Sequence, residues 1–363
     1  MIKEFEYKAE QLHKLLVEKK LDALILNRVS SFAWATGGAS SYVGISASDG
    51  VATLVITPTH HYLLTNNIEA QRLEKEEQLA DQGWEFLVSP WYEASHTLAR
   101  LTDGLKVGVD EPLPASVDLS IDIARLRVNL TQPEAERFRM LAGECAQAMD
   151  QAMRSIRPGQ TEWQIAARLA LETETRGVQP VCLLVATDER IFSYRHPLPK
   201  DKTMERYAMV VLCGRKWGLV CSLTRLVHFG PLSEEVRHKA ESVAQVDAVM
   251  IANTRPGRTL GEIFAFGQAA YSKAGYPDEW QMHHQGGSAG YEAREFVATP
   301  GTEERVAKGQ VYAWNPSIRG TKSEDTILVS DSGNEILTVI PGWPAVTVKA
   351  EGQTFLRPAI LEL

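Results

Sequence analysis

A chain of 363 residues, 44% hydrophobic and 23% charged, has room for two domains with ordinary cores and lacks the bias of a disordered, collagen-like or membrane-embedded protein. A net charge of -8 at pH 7, with no basic block, argues against a nucleic-acid partner, and no stretch reaches the roughly 20 apolar residues of a membrane span. The opening Met1-Ile2-Lys3-Glu4-Phe5-Glu6-Tyr7 lacks a signal peptide's apolar core, so a cytoplasmic location is expected.

Periodicity predicts a helix near 10–20, then strands near 22–27, 51–57, 61–65, 85–88 and 106–110, a small α/β domain over residues 1–128. Thr131-Gln132-Pro133-Glu134 is a helix-start signal opening a long run to about Ile156, and the second domain is expected over 129–363. That domain carries an internal echo. Arg157-Pro158-Gly159-Gln160-Thr161 opens a helix with Ile165 that ends near Gly177; Arg255-Pro256-Gly257-Arg258-Thr259 opens another with Ile263 that ends near Gly275, with every matched position 98 residues on (158 to 256). A helix precedes each, over 134–156 and 234–253, and strands follow at 207–213 and 311–314. A duplicated unit of this kind predicts an α+β domain with a cleft between its halves. The cysteines, Cys145, Cys182, Cys213 and Cys221, form no Cys-x-x-Cys pair and are expected as reduced thiols.

The motifs fall in a recognisable order. Tyr194-Arg195-His196-Pro197, the stretch from Val210 to Gly214 followed by Ser222-Leu223-Thr224-Arg225, Met282-His283 with Gly290, Trp314-Asn315-Pro316, and Ser323-Glu324-Asp325 together resemble the creatinase, prolidase and aminopeptidase P family. The resemblance implies a creatinase-type N-terminal domain followed by a pita-bread domain with pseudo-twofold symmetry, and a homodimer in which the aromatics Phe32, Trp34 and Tyr42 either cover a neighbour's cleft or simply fill their own core.

In the metallopeptidase members, two aspartates, one histidine and two glutamates hold two divalent ions. Laid on this chain, those positions fall on Leu212, Ser222, Gly287, Asn315 and Glu324, with Arg294 at the second histidine. One carboxylate cannot hold a bridged pair, so neither metal nor other cofactor is expected. His283 and His284 can ligate zinc, but neighbours on a strand point to opposite faces.

The resemblance to creatinase, which works without metal, implies His196 as acid/base and Glu324 as its carboxylate partner. The glycine-rich stretch 283–295 is the expected binding loop: Arg294 for a substrate carboxylate, Tyr291 for stacking or a hydroxyl contact, and His283, His284 and Glu295 among its donors and acceptors. Asn315 joins this set, and Arg225 is either a substrate contact or a structural ion-pair partner. The leading expectation is a metal-independent hydrolase cleaving a C–N bond of a small carboxylate-bearing substrate. The alternatives are an Xaa-Pro dipeptidase or aminopeptidase with an atypical ion site, and a non-catalytic binding module.

Overall fold

The computed structural model describes residues 2–330 and 333–363. The chain forms two compact units, one running to Glu134 and including Trp217–Leu219, the other comprising Ala135–Lys216 and Val220–Leu363. The first contains α1 (Ile2–Lys19), β1 (Ala23–Arg28), α2 (Val29–Ala35), β2 (Asp49–Ile56), β3 (His61–Asn66), α3 (Ala70–Lys75), β4 (Glu85–Ser89), α4 (Thr97–Leu101), β5 (Val107–Val109), β6 (Val117–Asp118) and α5 (Ser120–Arg127). Its six strands form a mixed sheet in the order β4-β3-β2-β1-β5-β6. Ala23, Ile25, Val55, Leu64 and Val109 alternate onto one face and cluster there, which is why these short apolar runs fold as strands. Phe32 and Trp34 lie on α2 and are fully buried, so they fill the core of their own chain and cannot cover a neighbour's cleft; Tyr42 is half-buried.

The second unit begins with α6 (Gln132–Ser155), α7 (Glu162–Glu174), β7 (Gln179–Thr187), α8 (Glu189–Ser193), β8 (Tyr207–Lys216) and β9 (Leu219–His228). The motif then repeats with α9 (Glu234–Asn253), α10 (Leu260–Lys273), β10 (Gly286–Ala289), β11 (Phe296–Val297), β12 (Val311–Trp314), β13 (Ser317–Ile318), β14 (Thr321–Lys322), β15 (Asp325–Ser330) and β16 (Gly333–Ile336); β17 (Ala345–Ala350), β18 (Gln353–Pro358) and β19 (Leu361–Glu362) complete it. The echo is structural: Thr161 with Gln164 and Thr259 with Glu262 form matching capping boxes, in which each threonine oxygen accepts the third helical N–H and the partner side chain returns the bond. Gly177 and Gly275, both at positive φ, stop the two helices.

Each half contributes a sheet, β19-β9-β8-β7 and β11-β10-β12-β15-β16. The halves meet where the Thr224 N–H donates to Glu324 O at 3.2 Å and Thr326 Oγ1 bonds the backbone of Ser222. The predicted site lies on this seam.

Candidate functional site

Strand alternation sorts the seam into two faces. On β9, Ser222 and Thr224 point one way and Arg225 the other; Lys322 and Glu324 share the first direction, Ser323 and Asp325 the second. The second face is an ion network. Arg225 Nη2 meets Asp325 Oδ1 at 2.8 Å, and Arg357 Nη2 bridges Asp325 and Asp247, each at 2.6 Å. All four side chains are at most 2% exposed. Arg225 also donates to Thr224 O, Glu324 O and Thr338 O, so it is a structural residue holding the seam rather than the substrate contact entertained from the sequence.

The first face holds the site. Glu324, 2% exposed, receives Thr224 Oγ1 at 2.5 Å and Lys322 Nζ at 2.8 Å on one oxygen and Arg294 Nη2 at 3.1 Å on the other. Burial alone would raise its carboxyl; the Lys322 and Arg294 charges overcome that and hold it at about 2. Arg294 also donates to Ser222 Oγ at 3.2 Å, and its Nε is buried without a hydrogen-bond partner. Ser222 and Arg294, which the resemblance lays on the family's second aspartate and second histidine, are thus joined directly to each other.

Three histidines flank this cluster. His196 follows α8 on a loop pinned by an Arg195–Glu279 ion pair and by Val185 N–H on Pro197 O. Its Nε2 lies 2.9 Å from His283 Nε2, with the ring of His284 4.5 Å from that of His283. The two adjacent histidines turn to the same side because β10 starts only at Gly286; His283 ends a 3₁₀ turn, Glu279–Met282, and no strand alternation governs the pair. The expectation that they face apart is corrected. Burial first, then the nearby Lys322, depresses His283 to about 2, and burial with Arg294 depresses His284 to about 4; His196 is lowered by burial and Lys322. All three imidazoles are neutral at pH 7.

His196 and Glu324 lie on one cluster, but no hydrogen bond joins them: the partner of His196 is His283, and the Glu324 oxygens go to Thr224, Lys322 and Arg294. The remaining loop residues build the site rather than line it. Glu295 accepts the N–H groups of Tyr291 and Glu292, and Tyr291 is 2% exposed, which removes it from the stacking role expected of it. Asn315 is buried, donates its N–H to Gln285 O at 3.1 Å, and leaves Oδ1 without a hydrogen-bond partner. Gln285, unremarked in the sequence, ties the loop together: its amide donates to His283 O and Trp280 O, and Tyr271 OH donates to its Oε1. Lys322 was also missed, although its place two residues before Glu324 puts the two on one face of a strand.

The residues present do not fit a bridged two-ion centre. Leu212 faces away from the site; the neighbour of Ser222 is Cys213, whose sulfur accepts the Ser222 hydroxyl at 3.3 Å. At Gly287 a Cβ would stand 1.9 Å from Phe296 O, so that position has no space for a ligand side chain. Arginine and lysine already occupy the surviving carboxylate. The cysteines are free thiols, with Cys145, Cys213 and Cys221 buried. No described helix is long and apolar enough to cross a membrane.

Comparison with known proteins gives the context. The family model for metallopeptidase family M24 matches residues 136–331, and that for the creatinase/prolidase N-terminal domain matches 8–132. The Xaa-Pro dipeptidase of Pyrococcus furiosus is 26% identical over 226 residues, 60% of this chain and 64% of that protein; an uncharacterized peptidase of Staphylococcus saprophyticus is 26% identical over 232 residues, 61% and 65%. The chain thus spans just under two thirds of these relatives. The prolidase structure from Pyrococcus horikoshii superposes with a TM-score of 0.79 at 19% identity, covering 92% of this chain and 98% of that one. With matching models across both units and the prolidase fold throughout, the chain belongs to metallopeptidase family M24, in its creatinase/prolidase branch.

Proposed function

We propose that the protein hydrolyses a C–N bond in a small carboxylate-bearing substrate, with Xaa-Pro dipeptides the first class to test, and that it does so without the family's two-ion centre. The observation that carries this is a buried charge imbalance. Lys322 and Arg294 contribute two positive charges against the single charge of Glu324, and the flanking histidines are neutral. An unbalanced buried cation is costly until an anion joins it. A substrate carboxylate meets that need, and the unpartnered Arg294 Nε is a donor for it.

Proton transfer falls to the His196–His283 pair. A neutral imidazole can take a proton from water and return it to the leaving nitrogen, and His196 is the exposed member of the pair. Glu324 acts through its charge, keeping Lys322 and Arg294 in place. The family kinship supports peptide substrates, and the net charge supports neither nucleic acid nor membrane as partner; a homodimer is retained from that kinship, to be read by light scattering at micromolar concentration. The test is a screen of Xaa-Pro dipeptides and N-substituted amino acids with metal-free protein. Activity that His196→Ala lowers about a hundredfold is the expected result; activity that appears only with two equivalents of metal would overturn the reading. A second reading, a non-catalytic binding module, draws on the same lost ligands, and predicts carboxylate binding with no turnover.

A further inference from the structure

We infer that His196, His283 and His284 form a site for a single late transition-metal ion of the zinc class, separate in ligands from the two-ion centre of the family. One potential ligand atom from each residue lies within 4.8 Å of the others, and among the described residues this is the one such group of three or more. Three imidazoles on a tetrahedral ion, each about 2.0–2.1 Å from it, would stand roughly 3.4 Å apart. The present spacing, 2.9 Å between the Nε2 atoms of His196 and His283, brackets that value with the 4.8 Å limit, so displacements of about 1 Å suffice. The exposed His196 side chain can supply them by rotating about its own bonds.

A second observation points to a missing partner. His283 is 8% exposed, and its Nδ1 is buried with no hydrogen-bond partner. In the His196–His283 hydrogen bond one Nε2 must be the donor. If His283 donates, its Nδ1 is a buried lone pair with nothing to accept; if His196 donates, the His283 Nδ1 carries a buried proton with no acceptor. Either arrangement leaves one polar atom unsatisfied.

The surroundings decide which ion. Lys322 and Arg294 repel any dication, and Glu324 offsets one of those two charges. Hard ions that depend on carboxylates, such as Mg²⁺ and Mn²⁺, find no oxygen ligand set here; Zn²⁺, Co²⁺ and Cu²⁺ gain from nitrogen ligation itself. The same positive surroundings favour an anion, such as hydroxide or a carboxylate, at the open fourth position. The inference stands apart from the proposed hydrolysis: an ion on the cluster takes the imidazole lone pairs that proton transfer uses, so the ion-bound form and the metal-free hydrolase are alternative states of one cluster, and the test reads metal, not turnover.

The experiment titrates full-length, chelator-treated protein with Zn²⁺ by calorimetry and with Co²⁺ by visible absorption. The expected result is one Zn²⁺ per chain, bound at least a hundredfold tighter than Mn²⁺, with a Co²⁺ spectrum of nitrogen-ligated, four-coordinate metal. His284→Ala and His196→Ala should each weaken Zn²⁺ at least a hundredfold. His196 is exposed, which keeps one of these variants informative if another fails to fold. Glu324→Gln, which disturbs the carboxylate but no imidazole, should change affinity less than tenfold. His61→Ala is the control: His61 and His13 form a similar Nε2–Nε2 pair at 3.0 Å but belong to no group of three potential ligands among the described residues, and its loss should leave Zn²⁺ binding unchanged. Failure to bind a stoichiometric ion, indifference to His284→Ala, or two Mn²⁺ ions lost together in Glu324→Gln would each overturn the inference.

Discussion

The two faces of the seam between β9 and β15 are made from consecutive residues and do opposite things. Below, Arg225 and Arg357 meet Asp247 and Asp325, two positive charges against two negative, all essentially without exposure. Above, one residue along each strand, Lys322 and Arg294 meet Glu324 alone. A balanced buried network is complete and locks the halves together; an unbalanced one lacks a partner and marks where a ligand belongs. The same folding event thus makes a closed structural layer and an open chemical one, because strand side chains alternate.

The largest effect expected from this contrast is on the lower face. Asp325→Ala strands the buried Arg225 guanidinium and leaves Arg357 with Asp247 alone, and should cost about 3–5 kcal/mol in chemical denaturation. A loss no greater than that of Arg294→Ala would break the distinction between the layers. Lys322→Met sharpens it from above: Glu324 keeps Thr224 and Arg294, so stability should change far less than in Asp325→Ala. With the excess positive charge gone, KM for a carboxylate substrate should rise about tenfold, or about 1.4 kcal/mol. An unchanged KM would place the substrate carboxylate elsewhere.

Acid gives a smaller, graded test. Above the ordinary histidine value of 6.5 the imidazoles are neutral whether the chain is folded or not, and they contribute no pH dependence. Below it the unfolded chain takes up protons that folded His283 and His284, depressed to about 2 and about 4, do not. The unfolded state then binds more protons, so stability should fall as pH drops from 6.5 toward 4, and Glu324 adds to the fall below 4.5. Denaturation midpoints across this range should decline less steeply in His284→Ala; an identical decline would mean that the folded cluster titrates freely.

Much of this was legible in order and period. The echo from Pro158 to Pro256 became paired capping boxes because a threonine three residues ahead of glutamine or glutamate satisfies helix-end N–H groups by local geometry alone. The strands near 51–57 and 61–65 appear as Asp49–Ile56 and His61–Asn66, buried on both faces over 54–56 and 63–65, since a short apolar run is a property of neighbouring residues. That Leu212, Ser222 and Asn315 are not carboxylates was equally a matter of residue identity.

What the tertiary structure alone decided was partnership. Sequence spacing left Arg225 between substrate and scaffold; the approach of β15, a hundred residues on, supplied Asp325 and settled it. It placed Phe32 and Trp34 in a core, Tyr291 out of a ligand's reach, and His283 beside His284 at the end of a turn instead of across a strand. Lys322 became part of the site only when Glu324 and Arg294 were brought to it. Local pattern fixes which way a side chain points within its element, but the charge a site carries is a sum over residues from both halves, and only folding brings them together.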